Sequence, residues 1–143
     1  MNIVISDKHG GFGLSHEAMM RYAEIKGIKL YPESDEKYKS FKIVTYWTLP
    51  KEKRPVEVDQ TKWHYMSLEE RQASNKAIKE STIYDKDIPR NDPALVQVVK
   101  EMGKNANTRF SNLKVVKIPD GVEWEIKEYD GLEWVAEQHR TWN

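Results

Sequence analysis

Between Leu113 and Glu137 the chain runs LKVVKIPDGVEWEIKEYDGLEWVAE, and two turn signals divide it. In Pro119-Asp120-Gly121 the proline presets φ, the aspartate can bond its own backbone, and the glycine accepts a positive φ. Asp130-Gly131 is a hairpin signal of the same kind. Around these turns apolar residues recur with a period of two: Leu113 to Ile118, then Val122, Trp124 and Ile126, then Leu132, Trp134 and Ala136. The pattern predicts a C-terminal three-stranded antiparallel meander. It puts Glu123, Glu125, Glu128 and Glu133 on the solvent face.

Helices are needed to cover the other face of such a sheet. Asp92 is an N-cap, and Pro93 follows at the first helical position, where a missing N–H costs nothing. Leu95, Val98, Val99, Met102 and Ala106 then form a helical stripe, which Gly103 weakens by roughly 1 kcal/mol relative to alanine. Nearer the start, Ile3 to Ile5 suits a buried strand, and DKHGGFGLS leads to Ser15, an N-cap for a helix from His16 to about Lys26. Leu14 and Met19 are spaced as a hydrophobic staple, and Gly27 is placed as the stop. Ser67 with Glu70 makes a capping box that opens a third helix, to about Lys79. Its stripe (Leu68, Ala73, Ala77, Ile78) is thin, so this helix is exposed or covers a partner.

Between these elements Ile28 to Tyr31 reads as a short strand and Glu33 to Ser40 as a polar loop. Phe41, Ile43, Thr45, Trp47 and Leu49 alternate as a strand, and Pro50 to Lys62 reads as irregular. The class expected is therefore α+β: an antiparallel sheet that includes the meander, with about three helices packed against it. At 143 residues the length fits one domain spanning 1–143.

Lys+Arg and Asp+Glu are both 23, so the net charge is zero, which argues against DNA or RNA polymers as ligands. No cysteine is present, so disulfide and thiol chemistry are excluded. No basic stretch leads into a secretory apolar run, and no apolar segment approaches the roughly 18 residues of a membrane span. The chain reads as a soluble intracellular protein. Its four histidines, His9, His16, His64 and His139, share no helical face at ligand spacing, so no metal or other cofactor is expected. Local spacing offers no nucleophile with a base.

Arg109 stands between the end of the Asp92 helix and the strand at Leu113, where a scaffold presents a loop side chain. Arg90 precedes the N-cap at the helix's other end, and Tyr84 lies six residues further upstream. Arginines that fork to phosphate beside a flat aromatic are what a small nucleotide requires. The plainer alternative is that Arg109 caps helix carbonyls and Arg90 pairs with an acidic neighbour. The glycine loop from His9 to Ser15 is open to two readings as well, an anion cradle or a tight strand-to-helix turn. Trp142, near the end of the sequence, belongs in the core or against another subunit.

Three blocks, GGFGLSHEAMMRYAEIKGI, DIPRNDPALVQVVKEMGKNAN and LKVVKIPDGVEWEIKEYDGLEWVAEQHRTW, resemble a family of small bacteriophage proteins. This is the first-described Thoeris anti-defence family, sponges that sequester cyclic ADP-ribose isomers. The resemblance covers roughly residues 1–31 and 84–142, and not 32–83. It implies a binding protein rather than an enzyme, acting in the cytoplasm of the infected bacterial host. By the same resemblance Arg90, Asn91 and Asp92 face the ligand, Arg109 meets its pyrophosphate and Tyr84 stacks on adenine. It further implies a homo-oligomer, a dimer or an assembly of dimers, and cyclic trinucleotides as ligands at a separate site. Two other functions compete: a phage enzyme that degrades nucleotide signals, and a phage protein that inhibits a host protein by contact.

Overall fold

The computed structural model describes residues 1–35, 43–56 and 58–138. These residues are α+β, with antiparallel pairing throughout their sheets. They separate into two compact units. Met1–Gly27 joins the described chain from Asp85 onward to make the first, and Ile28–Tyr84 is the second. That division falls close to the limits of the resembling blocks.

In the first unit β1 (Asn2–Ser6) pairs with β5 (Leu113–Lys117), Ile3 opposite Val116 and Val4 opposite Val115. Helices α1 (His16–Lys26) and α4 (Pro93–Met102) supply much of the core: Ala18, Met19, Leu95 and Val98 are almost wholly buried with Ile3 and Val4. Both helices begin as their sequences require. Ser15 Oγ accepts the Ala18 N–H at 3.1 Å, and an Asp92 carboxylate oxygen accepts the Ala94 N–H at 2.9 Å. Gly27, at φ 72°, closes α1 in the left-handed conformation. Gly103, at φ 55°, ends α4, so Ala106 reaches the core from a 3-10 turn and not from the helix.

The C-terminal strands depart from the meander in two ways. β6 (Trp124–Tyr129) and β7 (Leu132–Glu137) form the hairpin, turning through Asp130 and Gly131, both at positive φ. β5, however, takes β1 as its ladder partner and does not pair with β6. A period of two marks a strand without naming its neighbour, and buried β1 offers β5 five residue pairs, extended by the Ile118 N–H to the Met1 carbonyl. The second departure is the facing of β7. Residues directly opposite in an antiparallel pair share a face. Tyr129 with Leu132, Lys127 with Trp134 and Glu125 with Ala136 therefore form one face, and Ile126 with Val135 and Glu128 with Glu133 the other. Glu133, expected in solvent, is 8% exposed, whereas Trp134 is 42% exposed. The reason is Arg90, which meets Glu133 along the edge of β1 that β5 does not occupy.

In the second unit β2 (Tyr31–Asp35), β3 (Ile43–Trp47) and β4 (Thr82–Ile83) form a three-stranded sheet with β3 central. β2 starts where a strand was expected to end. Its polar residues are held by the backbone ladder to β3, and Pro32 is tolerated because β2 is an edge. The stretch expected to be irregular contains a 3-10 turn at Lys51–Lys53 and a short helix α2 (Gln60–His64) capped by Asp59. α3 (Leu68–Glu80) opens with the capping box: the Glu70 N–H donates to Ser67 Oγ, and Ser67 Oγ bonds Glu70 Oε1. No residue of α3 is buried. Phe41, His139 and Trp142 lie outside the described residues. Among the described residues no helix is long and apolar enough to cross a membrane.

Candidate functional site

Three loops of the first unit meet at one end of it, and glycines let their backbones touch. A Cβ on Gly131, at the hairpin tip, would lie 2.5 Å from both Gly10 N and Gly11 N, and one on Gly10 would lie 2.6 Å from the Phe110 carbonyl oxygen. The glycine loop is thus packed against the 107–112 loop and the hairpin tip, an approach that only glycine permits. Ser111 Oγ donates to the Gly13 carbonyl at 2.8 Å, and the Ser15 N–H donates to the Ala106 carbonyl at 2.9 Å.

The 107–112 loop is braced by its own side chains, as its Ser, Thr and Asn content permits. The Thr108 N–H donates to Ser111 Oγ at 2.9 Å, the Phe110 N–H to Thr108 Oγ1 at 3.1 Å, and the Leu113 N–H to Asn107 Oδ1 at 2.8 Å. Beside it opens a cleft of about 390 Å³ lined by Asp7, Lys8, Lys104, Asn107, Thr108, Ser111 and Asn112. Asp7 is already paired with Lys114 at 3.3 Å and accepts from Asn112 at 2.6 Å. Lys8 and Lys104 therefore leave the cleft with a positive balance. Lys8 Nζ donates to the Arg109 main-chain carbonyl at 3.3 Å, which ties the cleft wall to the backbone of the loop.

Arg109 is exposed, with its guanidinium carbon 5.6 Å from the ring centre of Phe110, itself 61% exposed. Arg109 has no ion pair among the described residues, and it does not cap the helix. In the glycine loop His9 meets the ring of Tyr129 edge-on at 6.4 Å, and its Nδ1 lies 3.2 Å from the Asp130 carbonyl oxygen.

Arg90 and Asp92 are placed differently. Arg90 donates to Glu133 through Nη1 at 2.7 Å and Nη2 at 2.9 Å, donates to the Val4 carbonyl at 3.2 Å, and lies 3.6 Å over the Phe12 ring. Its main-chain carbonyl accepts the Val4 N–H at 2.8 Å, while Glu133 Oε1 accepts the Ser6 N–H at 2.9 Å. Together the pair finishes the edge of β1 that β5 leaves open. Asp92 is buried and accepts from Tyr22 Oη at 2.7 Å and Lys26 Nζ at 3.3 Å besides capping α4. Burial opposes its charge, but the bonds from Tyr22, the Ala94 N–H and Lys26 prevail and hold the carboxyl below its usual range. Burial, with the Asp92 bond second, pushes the Tyr22 phenol well up.

Asn91 is exposed beside them, and Tyr84, 46% exposed, belongs to the second unit. Arg90 and Arg109 stand at opposite ends of α4, whose ten residues span about 15 Å. The chain thus brings Lys8 and Lys104 together in one cleft, with Arg109 on the adjoining loop, and keeps Arg90 and Asp92 with the scaffold. Sequence reasoning missed both lysines and Phe110. For Phe110 the signal was the density of Asn, Thr and Ser from Asn105 to Asn112, which marks a side-chain-braced loop.

No family model, curated protein or solved structure matches the chain.

Proposed function

We propose that the protein binds a small anionic nucleotide, a cyclic ADP-ribose isomer, and sequesters it without cleavage. In that role it is a bacteriophage anti-defence sponge, working as a homo-oligomer in the cytoplasm of the infected host and blocking TIR-based immunity. The observation that carries the reading is the lysine-lined cleft beside the 107–112 loop, which also carries the exposed Arg109 and Phe110. Its volume sits at the lower end of the ~300–1,000 Å³ usual for small-molecule sites. An unpaired guanidinium and two ammonium groups suit a pyrophosphate, and a neutral chain with local cations favours a small anion over a polymer. The resemblance of the three sequence blocks supplies the ligand class. Arg109, Lys8 and Lys104 then hold the anion, while Arg90 and Asp92 serve by fixing the ends of β1 and α4.

The test is direct. The purified protein is incubated with a TIR-derived cyclic ADP-ribose isomer, separated from free ligand and denatured, and the released material is chromatographed. Intact ligand is the expected result, and Arg109→Ala should abolish its retention. A cleaved product would favour the degrading enzyme instead. Absence of binding at micromolar concentration would sink the proposal.

A further inference from the structure

We propose that the second unit carries its own site for a small organic monoanion with a flat apolar body. The place is a cavity of about 350 Å³ lined by Glu33, Trp47, Lys51, Arg54 and Pro55, all within the second unit. Its construction begins with Arg54, whose side chain is only 12% exposed. The guanidinium lies 4.9 Å over the Trp47 ring, donates through Nε to the Leu49 carbonyl at 3.0 Å, and pairs through Nη1 with Glu33. A guanidinium has five N–H donors. These partners engage Nε and Nη1, so the Nη2 donors remain for a ligand.

Charge fixes the ligand's sign. Among the described residues Glu33 is the one acidic lining residue, and it is neutralised by Arg54. The Lys51 ammonium has neither ion-pair nor hydrogen-bond partner among the described residues. The described lining therefore keeps one net positive charge and unmet donors, which an oxyanion of single charge satisfies. The walls fix the shape. Trp47 and Pro55 are flat and apolar, and such walls with a few convergent polar groups make a small-molecule site. An aryl carboxylate meets both demands. The site depends on nothing in the 107–112 loop, so it stands apart from the nucleotide reading.

The probes are 2-naphthoate and its neutral analogue 2-naphthamide, titrated into the full chain while the Trp47 indole N–H resonance is followed. The naphthoate should shift that resonance saturably, and the amide should bind about fivefold more weakly or worse, the scale of one modest charge contact. Lys51→Met should reduce naphthoate binding to the level of the amide. Glu33→Gln, which releases Arg54 from its carboxylate, should tighten it about threefold. The two variants move in opposite directions, so loss of folding in one leaves the other decisive. Arg109→Ala should leave naphthoate binding unchanged whatever it does to nucleotide retention. No saturable shift at Trp47, equal binding of acid and amide, or weaker binding in Glu33→Gln would each overturn the proposal.

Discussion

Replacing Arg90 with alanine separates a scaffold residue from a ligand residue. Glu133 is 9% exposed at its side chain and takes two charge-assisted bonds from Arg90, which is itself 18% exposed. Removing one partner of a buried pair leaves the other charge uncompensated, at a cost of about 3–5 kcal/mol. The Ser6 N–H still solvates Glu133, and the partial exposure of Arg90 admits water, so the lower end applies, about 3 kcal/mol. Against a total stability on the order of 5–15 kcal/mol this is a large fraction. It corresponds to a fall in Tm of roughly 6–12 °C for a chain of this size. The assay is urea unfolding followed by circular dichroism and by tryptophan fluorescence, with coincident transitions as the condition for two-state treatment. Glu133→Ala and the double variant complete a cycle whose coupling should reach about 2 kcal/mol. Arg90→Lys should recover only part, since an ammonium cannot fork to the carboxylate or lie flat on Phe12. A cost below about 0.5 kcal/mol, the scale of an ordinary surface substitution, would refute the placement of Arg90 as a structural pin.

Arg109→Ala should behave in the opposite way, changing stability by no more than about 0.5 kcal/mol in the same unfolding assay while nucleotide retention is lost. The Asp92 carboxyl is depressed in the folded chain, so its stabilisation is present above the unfolded carboxylate pKa of about 4 and fades as pH falls through the lower folded value. Asp92→Asn should flatten that acid limb of stability against pH. The Tyr22 phenol is raised, so its contribution is complete below the unfolded value of about 10 and is lost as pH climbs beyond it; Tyr22→Phe should remove the alkaline decline. Gly131→Ala drives a methyl into two backbone nitrogens and should cost several times the ~1 kcal/mol of Gly121→Ala, where the space is open and only the positive φ is strained. Thermal melts of the two variants side by side check the ratio.

Local signals were the legible ones. Ser15, Ser67 and Asp92 cap helices as their positions require, because a cap is a bond between residues two or three apart. Asp130-Gly131 turns the hairpin for the same reason. Partners distant in the chain were not legible: β5 chose β1 over its neighbour β6, more than a hundred positions away. Glu133 shows the physics most plainly. Period-two counting puts a carboxylate outside, and the count held until a guanidinium 43 positions upstream made burial tolerable. At the candidate site the sequence marked Arg109 and Arg90 alike, since both are loop arginines beside one helix. Only the surroundings distinguish them: Phe12, Val4 and Glu133 enclose Arg90, while Arg109 has one exposed phenylalanine ring.

The first unit is interrupted by the whole of the second, and this bears on the order of assembly during synthesis. β1 leaves the ribosome early but has no ladder partner until Leu113–Lys117 is made. By then Ile28–Tyr84, a contiguous unit, is already complete in the nascent chain. At ~5–20 residues per second, the 33 residues from Tyr84 to Lys117 take roughly 2–7 s. For that interval the apolar residues Ile3, Val4 and Ile5 lack the strand that will pair with them, and the edge that β5 will take stays open to any strand nearby. Arg90 is translated 23 residues ahead of Leu113 and already carries the carbonyl that takes the Val4 N–H. A newly made β1 can therefore be covered on one edge by the same residue that later holds Glu133, before its own sheet exists.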